Sequence, residues 1–151
     1  MTTIQLTTKI EAPIQIVFDH SRNIDLHQQS ASKTNEKAIA GITTGLINKG
    51  EKVTWKGKHF GLYLTHKSQI TVMDLYRYFV DEMEEGHFKS FKHQHLFKET
   101  NGVTTMIDIL EYETPFGLFG KLFDFLFLKK HLSHFLLNRN QILKKVSERS
   151  D

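Results

Sequence analysis

The residues best suited to chemistry fall in one short run, Phe91-Lys92-His93-Gln94-His95-Leu96-Phe97. Alternate residues of an extended segment share a face, so His93 and His95 point the same way and can converge on one atom. With His59 or Asp108 as a third partner the pair could hold zinc or iron. Any histidine-rich strand produces a His-x-His spacing, however, and neither a metal nor a cofactor is expected. Acid–base work is the better catalytic reading, with His93 and His95 as the catalytic candidates. A histidine titrates near 6.5, and one held in an apolar pocket can move a proton for a cyclase or dehydratase. An acidic neighbour would orient it. Asp81 and Glu82 lie on opposite faces of their segment; Asp81 is preferred, although parity puts it on the side of Arg77. Nucleophilic catalysis has no carrier, because there is no cysteine and Ser68 lies outside any nucleophile elbow. Gly41-Ile42-Thr43-Thr44-Gly45 lacks the Gly-Lys-Ser/Thr that completes a phosphate loop.

The elements that must position these groups follow from periodicity. Residues 3–10 alternate polar and apolar and predict a half-buried strand. Pro13 suits the first turn of a helix, and Ile14, Val17 and Phe18 give a short one an apolar face to about residue 20, with Ser21 placed to cap a second over 21–28. Period-two segments then predict strands over 36–39, 50–58, 62–73, 77–84, 88–99 and 103–113. Their short links, above all Asn101-Gly102, favour antiparallel neighbours. The pleat assigns faces. Lys52, Thr54, Lys56 and Lys58 read outward, leaving Val53, Trp55 and His59 inward. Tyr63, Thr65, Lys67 and Gln69 read outward, leaving Leu64, His66, Ser68, Ile70 and Val72 inward. Lys92, Gln94 and Lys98 read outward, leaving Phe91, His93, His95 and Phe97 inward. A bulge would shift any of these by one, and Gly57 or Gly86 could host it.

From residue 118 to 146 the only glycine is Gly120, and Leu122, Phe123, Leu126, Phe127, Leu132, Phe135, Leu136, Leu143 and Val146 recur at helical spacing. That predicts one long helix, whose apolar arc needs cover along its length. A chain of 151 residues is the size of one domain, and no repeat or linker divides it. The formal charge is +3. Residues 121–151 hold seven basic and three acidic residues, a local +4, so the rest sums to −1. The outward lysines of the sheet read as a solvated face, and no nucleic-acid partner is expected. No export signal or membrane span is visible, which together with the lack of cysteine fits a cytoplasmic location.

Strand, two short helices, six strands and a long helix form an order that resembles the START/birch-pollen-allergen superfamily, with its polyketide cyclase/dehydrase and lipid-transport members. Gly50-Glu51-Lys52-Val53-Thr54-Trp55-Lys56-Gly57-Lys58-His59-Phe60-Gly61 is similar to a bacterial ligand-binding branch of it, as is Asp81-Glu82-Met83 followed by Gly86, Phe88, Phe91, His93, His95 and Phe97. The resemblance implies an α+β helix-grip fold over 1–151 as a single domain, with a cavity between the curved sheet and the long helix. The expected function is binding or transport of a small hydrophobic molecule, a lipid, polyketide or aromatic compound; the alternative is a cyclase or dehydratase. Trp55, His59, His66, Phe91, His93, His95, Phe97, Phe119 and Phe123 are the expected ligand-contacting residues. The helix is expected to be lid and floor of the cavity, with residues 114–120 as an apolar, hinge-like entrance. The rival for that segment is contact with a membrane or a second subunit by Phe116, Phe119, Phe123 and Phe127 beside Lys121, Lys129 and Lys130. The lid is preferred because Asp124, among those phenylalanines, would oppose anionic lipid. The oligomeric state is left open.

Overall fold

Alternation in the first ten residues buries one face of a strand, and the computed structural model, which describes residues 1–149, places β1 at Thr2–Ile10. After Pro13, α1 (Ile14–Ser21) buries Val17 and Phe18. Helix α2 (Ile24–Ser30) is capped by Asn23, whose side chain accepts from the Leu26 amide. Ser21, the cap expected from sequence, instead closes α1 and donates to the Val17 carbonyl. A 3₁₀ turn at Ser32–Thr34 leads to β2 (Lys37–Gly41), β3 (Lys52–His59), β4 (Leu62–Asp74), β5 (Tyr78–Glu85), β6 (Ser90–Thr100) and β7 (Val103–Glu113). They form one seven-stranded antiparallel sheet in the order β1-β7-β6-β5-β4-β3-β2. Six of the strands meander, and β1 closes onto β7 from far away in sequence, Thr2 opposite Tyr112 and Ile10 opposite Thr104.

Two bulges adjust the β4–β5 pair. Ile70 faces Asp81 while Val72 faces Val80, so Thr71 is an extra residue that reverses the phase of β4. Val72, expected inward, is therefore exposed, and Met73 packs on the core in its place. The second bulge has Glu84 as its extra residue, two positions before Gly86. Gly57 lies in regular pairing opposite Leu64.

The C-terminal helical run is 33 residues long: α3 (Gly117–Phe123), one wide π turn over Asp124–Leu128, and α4 (Lys129–Arg149). Gly120 is a glycine because a Cβ there would come within 1.8 Å of the Pro115 carbonyl oxygen. The concave face of the sheet has a second cover besides this helix. Phe18 of α1 meets Phe79 and Phe97 edge-on at 5.4 and 5.0 Å, so protein fills that end. Buried apolar residues consequently form two clusters. One gathers Phe18, Trp55, Ile70, Phe79, Phe97, Met106 and Leu143; the other gathers Ile4, Leu110, Tyr112, Leu132 and Leu136. Among the described residues no helix is long and apolar enough to cross a membrane.

Candidate functional site

A cavity of about 830 Å³ lies between the concave face and the helical run. Trp55 and His59 reach it from β3, His66 and Ser68 from β4, Asp81 from β5, and Phe91, His93 and His95 from β6. Leu132, Phe135 and Leu136 of α4 close the opposite wall, with Phe119 and Phe123 of α3 at one end. Eight of the nine residues expected to contact a ligand thus share one space. Phe97 is the exception: its parity is inward, but it sits where α1 covers the sheet and stacks on Phe79 at 6.0 Å inside the core.

The inner end is polar. Asp108 of β7 is fully buried, and its carboxylate accepts from His93 Nε2 at 2.8 Å and from the Asn140 side chain at 2.7 Å, with Arg139 Nη1 3.6 Å away. Burial opposes its ionisation, but His93 and His95 outweigh that and hold the carboxyl well below the usual carboxylate range. Burial and the neighbouring His95 push His93 down to about 4. At neutral pH His93 is therefore uncharged, and its bond to Asp108 assigns the proton to Nε2. The network ties α4 to β6 and β7, and its members satisfy one another.

His95 is the exception within it. Its Nδ1 lies 3.2 Å from Asp108 Oδ1 and its Nε2 3.7 Å from Asp81 Oδ2. Neither contact has hydrogen-bond alignment, so both ring nitrogens are buried without a hydrogen-bond partner although the two carboxylates stand beside them. The ring itself is clamped between Phe79, stacked at 4.2 Å, and His93 at 3.8 Å. Asp81, the acid preferred over Glu82, does face the cavity; parity with Arg77 is irrelevant because Arg77 precedes β5, where Tyr76 has a positive φ. Burial works to raise the Asp81 carboxyl, yet His95 and His93 keep it ionised below its ordinary value. Among the described residues, Asp81, His93 and His95 offer ligand atoms within 4.8 Å of one another and could hold a metal. Asp108 would stand behind that set through His93. His59, considered as a third ligand, is elsewhere.

His59 belongs to a second chain of polar groups nearer the opening. Its Nδ1 is 2.9 Å from His131 Nε2, its Nε2 is 3.7 Å from Glu36, and Glu36 meets His27 Nε2 at 3.2 Å. Burial disfavours the Glu36 anion, but His27 and His59 overcome it and set the carboxyl at about 2. Burial, then His59 and His134, also push His131 down. Glu36, His27 and His131 carry no sequence signal as site residues. They come from three different segments that only the fold brings together.

No protein-family model matches the chain and no curated protein matches it. Solved structures do. A START superfamily protein from Mycobacterium smegmatis superposes with a TM-score of 0.74 at 12% identity, over 99% of both chains. The chain has the helix-grip fold of the START superfamily. TTHA0849 from Thermus thermophilus matches at 0.71 and 15% identity over 97% of this chain and 99% of the other. A ginseng major latex-like protein from Panax ginseng matches at 0.70 and 15% identity over 97% of each. The two polar chains described above lie along the wall of the cavity between sheet and helix.

Proposed function

We propose that the protein binds or carries a small, mostly apolar molecule that bears one hydrogen-bond-donating group, a hydroxyl or an amine. The observation that carries this reading is the cavity of about 830 Å³, apolar along most of its wall, with Asp81 and the unpartnered His95 together on one side. The other charged groups of the lining are already engaged. Arg22 holds Asp19 at 2.9 Å and Asn48 at 2.8 Å, Arg139 holds the Ser21 carbonyl at 3.1 Å, and Glu36 is held by His27. That leaves an anion to receive the polar end of a ligand, which favours donors and disfavours carboxylates.

Catalysis by a cyclase or dehydratase would need a base that titrates near the working pH. His93, pushed down to about 4 with its Nε2 committed to Asp108, does not suit that role, and the binding reading requires no such base.

Trp55, the single tryptophan, lines the cavity and serves as the reporter. Titration with twelve-carbon alcohol, amine and carboxylate, followed by Trp55 fluorescence, is expected to rank the first two above the third, and Asp81→Ala is expected to remove the ranking. Native mass spectrometry after mild purification would identify any retained molecule. If Trp55 emission responds to none of the three compounds, and no molecule is retained, the reading fails.

A further inference from the structure

Asp124, which by sequence sets a negative charge among the phenylalanines, is buried. Its carboxylate accepts from the Tyr112 hydroxyl and from Thr2, each at 2.5 Å, and so faces β1 and β7. The phenylalanines around it point the other way. Phe116, Leu118, Phe119 and Phe125 are each more than four-fifths exposed, and Leu126 and Phe127 about half. Monomeric proteins rarely leave so many large apolar side chains contiguous in water. Between Glu113 and Glu148 the only acidic residue is the buried Asp124, while Lys121, Lys129 and Lys130 are exposed. The β3–β4 hairpin continues the patch, because Phe60 meets Phe123 at 5.2 Å and Leu62 and Tyr63 are exposed beside it. No acidic residue occurs from 52 to 73, and Lys56 and Lys58 are exposed there.

Backbone conformation supplies a separate argument. Phe60 and Phe116 have φ of 51° and 68°, a region that asparagine or glycine occupies more readily, and both are exposed. At Phe116, more than four-fifths exposed, neither turn stability nor core packing accounts for phenylalanine, whereas Phe60, on the opposite lip of the cavity mouth, is half exposed and its ring meets Phe123 and His131. Phe60, Phe116, Phe119 and Phe123 all line the cavity as well.

We infer that this face docks on an anionic lipid bilayer, with the phenylalanines inserted at the acyl boundary and the lysines among the headgroups, so that the cavity mouth opens into the lipid. Exposed apolar side chains framed by Lys121, Lys129, Lys130, Lys56 and Lys58, with the partly exposed Glu113 beside Phe116 already paired to Lys89 at 3.2 Å, are complementary to such a surface. A second copy of this chain would present the same cations and repel them. The passage of ligand between bilayer and cavity rests on the binding reading above; the docking itself does not.

The test uses Leu118→Ser/Phe125→Ser, because neither residue lines the cavity or has a core partner to lose. Co-sedimentation of the full chain is measured with vesicles of phosphatidylcholine alone and of three parts phosphatidylcholine to one of phosphatidylglycerol. Binding is expected on the anionic vesicles only, falling with added salt and weakened roughly tenfold or more in the double variant. A second variant, Lys121→Gln/Lys129→Gln/Lys130→Gln, is expected to lose a comparable factor. The Trp55 response to alcohol or amine must survive in both, which separates failure of docking from failure of ligand binding. The inference is overturned by absence of binding, by equal binding to neutral and anionic vesicles, or by sedimentation showing a dimer that the Leu118→Ser/Phe125→Ser change dissolves in the absence of lipid.

Discussion

The two halves of the C-terminal helical run obey opposite rules. Along α4 the apolar residues Leu132, Leu136 and Leu143 are buried with Arg139, Asn140 and Ser147, each held by the sheet or by α1. Along α3 and the π turn, Gly120 and Asp124 are buried while seven of the large apolar residues between Phe116 and Phe127 are at least half exposed. Charged residues are ordinarily outside and phenylalanines inside, so the second half is inverted. The difference teaches that α4 is shaped by the fold, whereas the outer surface of α3 and the π turn is shaped by something the fold does not contain.

Four measurements would break or sharpen that contrast. The largest effect belongs to the α4 side. Asp108→Ala strips His93, Asn140 and Arg139 of their buried acceptor and is expected to lower stability by about 3–5 kcal/mol in urea denaturation, the scale for breaking a buried charged network. A loss below about 1 kcal/mol would mean that the network does not hold α4. Acid comes next. Below about 6.5 the unfolded chain binds a proton at His93 that the folded chain, titrating at about 4, does not, so stability is expected to fall as pH drops through that window. His66 and His131, also pushed down by burial, act in the same direction, and Asp108 extends the loss to still lower pH. A stability profile that stays flat from pH 7 to pH 4 would contradict the buried neutral imidazole.

Asp124→Ala tests the inverted half. It removes the acceptor of Tyr112, whose hydroxyl is pushed up by burial and by Asp124 and so remains a donor. A loss of about 2 kcal/mol in thermal or chemical unfolding is expected for charge-assisted bonds of this kind. The smallest effect is reserved for the exposed phenylalanine Phe125: Phe125→Ser is expected to change stability by no more than about 0.5 kcal/mol. A loss of several kcal/mol there would place the face in the core and erase the contrast.

Much of the frame is legible in the sequence because strands β6 and β7 alternate without interruption, and their inward residues follow from parity alone. Parity fails where a bulge leaves no mark: nothing in Gln69-Ile70-Thr71-Val72 announces Thr71 as the extra residue that turns Val72 out. It also cannot say how far along the sheet the cavity extends, so Phe97, correctly inward, is assigned to a wall that ends before it. Asp124 misleads for a different reason. Helical periodicity puts it among phenylalanines, on a surface where its charge would oppose anionic lipid; in the fold it turns instead to Tyr112 and Thr2, 12 and 122 residues away. Of the polar chain through Glu36, His59 and His131 only His59 is legible, from its parity on β3; Glu36 and His131 come from other segments that only the fold brings to it.

The closure of β1 onto β7 has a consequence for the order of assembly. Synthesis exposes β1 first, yet its partner Tyr112 emerges roughly a hundred residues later, and the Thr2–Asp124 contact later still. Until then the meander from β2 to β7 can pair locally while β1 and the inner edge of β7 remain open, with a long loop to close and a slow, late step to complete the grip. Strand β1 thus precedes the other strands in the chain yet can pair only once β7 has been made, and a change at Thr2 would fall at the seam that seals the sheet.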